Sequence, residues 1–258
     1  MQANENGFAV KSEMENTAPR IFPILGAVVL DVGLFLLFWF VGMMAMTAVW
    51  TVGALLFNAG HAAPEAAPGP VAQLLIALLA MYLAISVLSL WRGRKLHFAP
   101  AQITKKKTAS LAAATGAAVF LFTLLASNLL EAAGLFSKPS NQEILENLSR
   151  QWPAAVMLFV VVIAPAFEEL FFRKQLFARM AQANHVALAY VLSSLLFALV
   201  HEPTPTSGLG DWLLKLLLYG SMGAVFAWVY RKTGKLWPAI VAHASNNLLG
   251  VIALLVLS

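Results

Sequence analysis

The hydrophobic residues of this chain come in long blocks separated by short polar stretches. Seven segments are predominantly apolar: 21–57, 71–91, 109–136, 152–177, 186–201, 212–230 and 236–257. A helix that crosses the hydrocarbon core of a bilayer needs about 20 mainly apolar residues. The blocks therefore predict an all-α polytopic membrane bundle of about seven transmembrane helices. The first is long enough to tilt or to carry an interfacial piece, and the fifth is short. Residues 61–70 form an Ala/Pro/Gly-rich loop, and no internal repeat is visible. Three regions follow: a disordered cytoplasmic tail over 1–20, a three-helix membrane region over 21–136, and a four-helix core over 150–258 that carries the candidate chemistry.

Composition agrees with this pattern. Sixty per cent of the residues are apolar and 11% are charged, against about a quarter charged in a soluble domain. The chain has no cysteine, which excludes disulfides, thiolate metal ligands and a cysteine nucleophile. The first apolar stretch is too long for a signal-peptide core and shows no convincing cleavage site, so it reads as a retained anchor. The net charge of +5 reads as basic loops held on one side of a lipid bilayer, with no nucleic-acid partner. Positively charged loops stay cytoplasmic. If the basic segment 92–107 is inside, alternation places fourteen of the 17 basic residues inside. The N-terminus is then cytoplasmic, the C-terminus lies outside, and a bacterial inner membrane is the expected location.

Against this background, ionisable residues within the spans stand out, because each is costly in lipid. Glu168 and Glu169 are adjacent and point to different walls of a helix. Glu169 and Arg173 are four apart and share a face, which predicts a structural brace there and leaves Glu168 to face a cavity. His201 ends the fifth segment. The midpoint of 168 and 201 falls at 184.5, in the turn between the two helices. Glu168 and His201 should therefore lie at the same depth of an antiparallel hairpin. His243 and Asn247 share a face of the last helix, also in the inner half of the bilayer. Each group alone could be helix–helix glue, but three at compatible depth suggest a site. Asp31 in the first helix is a packing hydrogen bond or a polar wall of a cavity. Asp211 reads as an N-cap or first-turn carboxylate.

Two hydrolytic chemistries fit these residues. A carboxylate beside an imidazole can activate water for attack on a carbonyl, with His243 and the Asn247 amide as donors to the oxyanion. Alternatively, Glu168, His201 and His243 form a His₂Glu set for zinc with water in the fourth position. Other membrane-protease patterns fit worse. No His-Glu-x-x-His is present. Ser221 is one place off a Gly-x-Ser-Gly, and Gly208-Leu209-Gly210-Asp211 sits in an outer loop.

Glu-Glu-x-x-x-Arg at 168–173, Phe-x-x-x-His at 197–201 and His-x-x-x-Asn at 243–247 occur in order on consecutive membrane helices. Together they resemble the CPBP family of CAAX prenyl endopeptidases and bacteriocin-processing and immunity proteins, over roughly 150–250. The stretch 236–240 before His243 is also similar to that family. The resemblance implies an intramembrane endopeptidase in which Glu168 and His201 activate water and His243 and Asn247 bind the oxyanion. Glu169, Arg173 and Phe197 would support the site, and no cofactor would be required, zinc being the alternative. The partner would be a peptide or membrane-protein segment entering from the cytoplasmic side. Two other readings use the same residues: a non-catalytic immunity or scaffold protein of the same fold, and a proton pathway or transporter. The lack of an inverted repeat speaks against the last. The first three predicted helices carry no motif of this family.

Overall fold

In a computed structural model of the chain, the structure describes residues 21–57, 68–91 and 106–257. The polar tail 1–20, most of the 61–70 loop and the basic segment 92–105 lie outside the described residues. The described residues are almost wholly helical, without a strand. The helices are α1 (Ile21–Phe57), α2 (Pro70–Trp91), α3 (Lys106–Ala132), α4 (Ser140–Gln151), α5 (Pro153–Gln182), α6 (Val186–His201), α7 (Leu209–Thr233) and α8 (Leu236–Leu257). Among them, α1, α3, α5, α7 and α8 are long and apolar enough to cross a membrane, α2 is apolar over Leu75–Leu88, and α6 is a shorter apolar helix. These are the seven apolar blocks of the sequence. The chain is a multi-pass membrane protein with a helical-bundle fold.

The remaining helix, α4, is polar and amphipathic, so the apolar blocks do not announce it. It follows a turn in which Gly134 takes φ +70°, the left-handed conformation that ends helices and favours glycine. That turn stops α3 short of residue 136. A latch holds the α3–α4 connection to the start of α7. The Asp211 carboxylate accepts from the Ser137 backbone N–H at 2.6 Å and from its hydroxyl at 3.1 Å. Lys215, buried one turn further on, pairs with Asp211 at 2.8 Å and donates to Ser137 Oγ at 3.0 Å. Asp211 thus occupies the first turn of α7, as expected, and its carboxylate also ties two connections together.

Helix α5 occupies the centre. α1 pairs with α2, where Trp39 Nε1 donates to the Ala77 carbonyl at 3.1 Å. This pair meets α5 through Phe35 on Phe171 (4.1 Å between ring centres) and Tyr82 on Phe167 (5.0 Å). An ion pair joins the buried Asp31 of α1 to the partly exposed Arg179 of α5 at 2.9 Å, so Asp31 serves helix packing. α3 lies along α8 and comes closest at Gly116. A Cβ there would collide with the Ala242 carbonyl and lie 2.9 Å from Ser245 Cβ. α6 and α7 approach through Gly223, where a Cβ would lie 3.1 Å from Ser194 Cα and 3.3 Å from Phe197 Cβ.

α5 is not a regular α-helix. It turns π-helical over Met157–Ile163 and again over Leu170–Phe177. Such π turns are uncommon and gather at functional positions. The α-helical segment between them, Ala164–Glu169, carries both glutamates.

Candidate active site

Three helices, α5, α6 and α8, bring the polar residues together. On α5, Arg173 Nε donates to Glu169 Oε2 at 2.7 Å and Nη2 to Oε1 at 3.2 Å. Both side chains are fully buried. From α8, His243 Nδ1 donates to Glu169 Oε1 at 3.0 Å. A buried carboxylate is tolerable only when its oxygens are satisfied, and here Arg173 and His243 do that together. The guanidinium also lies over the Phe197 ring of α6, 5.4 Å from its centre.

Glu168 is the opposite case. Its Oε2 lies 3.8 Å from His201 Nε2 and 3.8 Å from His243 Nε2. These are beyond hydrogen-bond range, and the buried oxygen has no hydrogen-bond partner among the described residues. The turn between α5 and α6 is made by residues 183–185, with Asn184 at φ +63°, so the hairpin folds about the midpoint of Glu168 and His201.

Hydrogen bonding also sets which nitrogen faces Glu168. His201 Nδ1 is 2.8 Å from the Phe197 carbonyl, which can only accept, so Nδ1 carries the hydrogen. His243 Nδ1 likewise donates to Glu169. In their neutral forms both rings therefore turn an unprotonated Nε2 towards the Glu168 carboxylate. Three acceptors face one small space, and they need a hydrogen-bond donor or a cation between them. Polar groups held just beyond 3.5 Å are commonly bridged by water.

Beside Glu168 is a cleft lined by Phe35, Trp39, Met81, Phe171, Phe172 and Val200. The space within it is about 30 Å³, room for water-sized molecules, and Glu168 forms its polar edge. Its far wall comes from α1 and α2, which sequence motifs left without a role. As for metal, the donor chemistry of Glu168, His201 and His243 suits zinc. However, no group of three or more His, Asp or Glu side chains among the described residues is arranged to hold a metal ion.

Asn247 is placed differently from the rest. It makes no hydrogen bond to Glu168, His201 or His243. Its Nδ2 donates to the Val160 carbonyl at 2.8 Å, and its Oδ1 accepts from Asn246. The cause lies in α5. In the first π turn the Ala164 N–H reaches back five residues to the Phe159 carbonyl. By the same offset residue 165 should bond Val160, but Pro165 has no N–H to give. Asn247 supplies the missing donor from α8. An amide nitrogen carries two hydrogens, so one remains.

Sequence reasoning missed Tyr219 and Phe226 of α7. The His201 ring stacks on Tyr219 (4.8 Å, 25°) and the His243 ring on Phe226 (4.6 Å, 16°). The only sequence signal is their spacing of seven, with Gly223 between them.

A bundle of apolar helices around a buried Glu/Arg/His/Asn cluster, with a water-sized cleft at its free carboxylate, defines a polytopic membrane protein with an intramembrane polar site. Residues 150–249 match the Rce1-like family, described as type II CAAX prenyl endopeptidase Rce1-like. The resemblance drawn from the three motifs is borne out over that segment, which runs from the end of α4 into α8. The curated protein "Putative membrane peptidase YdiL" of Bacillus subtilis is 35% identical over 101 residues, 38% of this chain and 38% of its own length. Two proteins of Lactococcus lactis are also similar. "UPF0177 protein YxdF" is 28% identical over 51% of this chain and 71% of its own, and "UPF0177 protein YvdC" is 30% identical over 55% and 51%. No solved structure matches.

Proposed function

We propose that the protein is an intramembrane endopeptidase that hydrolyses peptide bonds with water activated by Glu168 and His201, without a covalent protein intermediate. The observation that carries this is the Glu168 carboxylate. Its Oε2 is buried without a hydrogen-bond partner and equidistant from two imidazoles, and the side chain lines a cleft with room for water-sized molecules. The match of residues 150–249 to a family of CAAX prenyl endopeptidases supports the same reading. Other buried side-chain oxygens also lack a hydrogen-bond partner, Glu202 Oε1 among them, but Glu168 Oε2 is the one with two imidazoles at 3.8 Å among the described residues.

Water held between Glu168 and His201 loses a proton to Glu168 as its oxygen bonds to the substrate carbonyl carbon. His201 Nε2, with its Nδ1 hydrogen committed to Phe197, accepts a hydrogen bond from the hydrogen that stays on the water oxygen and orients the attacking lone pair. The carbonyl oxygen becomes an oxyanion. The spare N–H of Asn247 is one donor to it. His243, whose Nδ1 hydrogen is committed to Glu169, faces the site with an unprotonated Nε2 in its neutral form and becomes a second donor only once a proton is added there. The Glu169 carboxylate is the partner that the protonated form requires. As the intermediate collapses, the C–N bond breaks and Glu168 returns its proton to the leaving amine. No step here passes through a metal. The substrate is a peptide or membrane-protein segment, and the cytoplasmic half of an inner membrane is the proposed place of the reaction.

The test is cleavage by the purified full chain in detergent of internally quenched peptides, farnesylated and unmodified CAAX-ending peptides among them. Glu168→Gln and His201→Ala should each lower kcat by more than about 10²-fold, the lower range for a general base, and a strong zinc chelator should change nothing. Loss with chelator and recovery with zinc would instead make Glu168, His201 and His243 metal ligands. Equal background from wild type and variants would favour the scaffold.

A further inference from the structure

The two imidazoles are each held by one hydrogen bond, at Nδ1. One bond positions that nitrogen but leaves the ring free to tilt about it, since the terminal torsion of histidine is broad. Where Nε2 points therefore depends on what lies against the ring faces. In both cases the face is covered by an aromatic ring of α7. Tyr219 stacks on His201 and Phe226 on His243. The two aromatic residues are seven apart, two turns along one face of the helix. Between them, Gly223 lets α6 come so close that a Cβ there would lie 3.1 Å from Ser194 Cα and 3.3 Å from Phe197, tight enough that a neighbour would have to shift. Phe197 of α6 touches both imidazoles as well, at 4.5 Å and 5.7 Å.

We propose that α7 is the positioning helix of the site, with Tyr219 and Phe226 acting as plates that hold the planes of His201 and His243 so that both Nε2 atoms face Glu168. This rests on the hydrolytic reading above and extends it to a helix that contributes no reacting group. Tyr219 and Phe226 are positioning residues. Their loss should reduce the rate of the bound complex and leave substrate affinity almost intact.

The experiment compares Tyr219→Leu, Tyr219→Phe and Phe226→Leu with wild type and with Val229→Ala. The last is a packing control elsewhere on α7, at a buried position without a ring contact to either imidazole. Glu168→Gln is run alongside, on whichever quenched peptide the wild type cleaves. Tyr219→Leu and Phe226→Leu should lower kcat about tenfold, the scale of a lost aromatic pair, with KM within about twofold. Tyr219→Phe, which keeps the ring, should recover most of that loss. If Tyr219→Leu costs no more than Val229→Ala, if Tyr219→Phe is as damaged as Tyr219→Leu, or if only KM rises, the plates do not position the imidazoles. Should Phe226→Leu fail to fold, the Tyr219 pair decides alone. An inactive Glu168→Gln beside an unaffected Tyr219→Leu sinks the positioning proposal only. An active Glu168→Gln, or a wild type that cleaves no peptide, removes the hydrolytic reading and this proposal with it.

Discussion

Asn247 has two hydrogens on one nitrogen and two candidate duties. One hydrogen repairs the Val160 carbonyl that Pro165 leaves without a donor, and the other is available to a developing oxyanion. The two duties differ in size and in observable. An interhelical hydrogen bond within a membrane contributes about 0.6 kcal/mol on average and up to about 1.7. Loss of an oxyanion donor costs about 10²–10³ in kcat. Asn247→Ala should therefore lower kcat by at least a hundredfold, while thermal unfolding in detergent registers only a small destabilisation. A variant that melts earlier yet keeps its kcat per folded molecule would confine Asn247 to the repair of α5. Glu168 and Glu169 show the same dependence on surroundings. They are chemically identical neighbours, but Glu169 is saturated by Arg173 and His243 while Glu168 is left with an unbonded oxygen. The helical period separates them in sequence, and the facing helices then give them opposite roles.

Between helices, the tightest constraint is the crossing of α3 and α8. Gly116 presses on the Ala242 carbonyl, next to His243, and a Cβ has no space there. Gly116→Ala should therefore push α8 away, cost about 1–3 kcal/mol as overpacking does, and lower kcat by misplacing His243. Gly53→Ala on α1, where a Cβ meets nothing within 4 Å, should leave both unchanged within error. Equal behaviour of the two variants would remove α3 from the support of the site. Much at this scale was legible in the sequence, because hydrophobic blocks report lipid exposure directly. The α1, α6 and α8 boundaries coincide with their blocks. The common depth of Glu168 and His201 follows from a hairpin symmetric about Asn184. What was not legible depends on contacts between distant segments. The first π turn of α5 draws on α8 for a donor opposite Pro165. Asp31 meets Arg179 only once α1 packs on α5. Aromatic residues seven apart on α7 look the same in sequence whether they fill a core or face an imidazole. Helix α4 was missed because an amphipathic surface helix has no apolar block.

For the molecule as a whole, the open quantity is its direction across the bilayer, since this decides from which side a substrate reaches Glu168. The described residues supply the geometry: α7 starts beside the Ser137 latch at one face and ends with Arg231 and Lys232, followed by Lys235, at the other. The direction comes from charge. Basic residues near span ends are retained in the cytoplasm, and fourteen of the 17 lie on one side under a single orientation. Inverting the chain would mean translocating nearly all of them. The sequence also offers a clean measurement, because it contains no cysteine, so an introduced thiol is the sole one. Ser207 lies exposed in the loop between α6 and α7, and Lys235 lies exposed in the turn between α7 and α8. In intact cells with a permeabilised outer envelope, a membrane-impermeant maleimide should label Ser207→Cys. Lys235→Cys should react only after the membrane is broken. His243 then lies two turns in from the cytoplasmic turn, so the cleft would be supplied from that side. The reverse labelling pattern would put Lys235 outside and direct the search for substrates to exported chains.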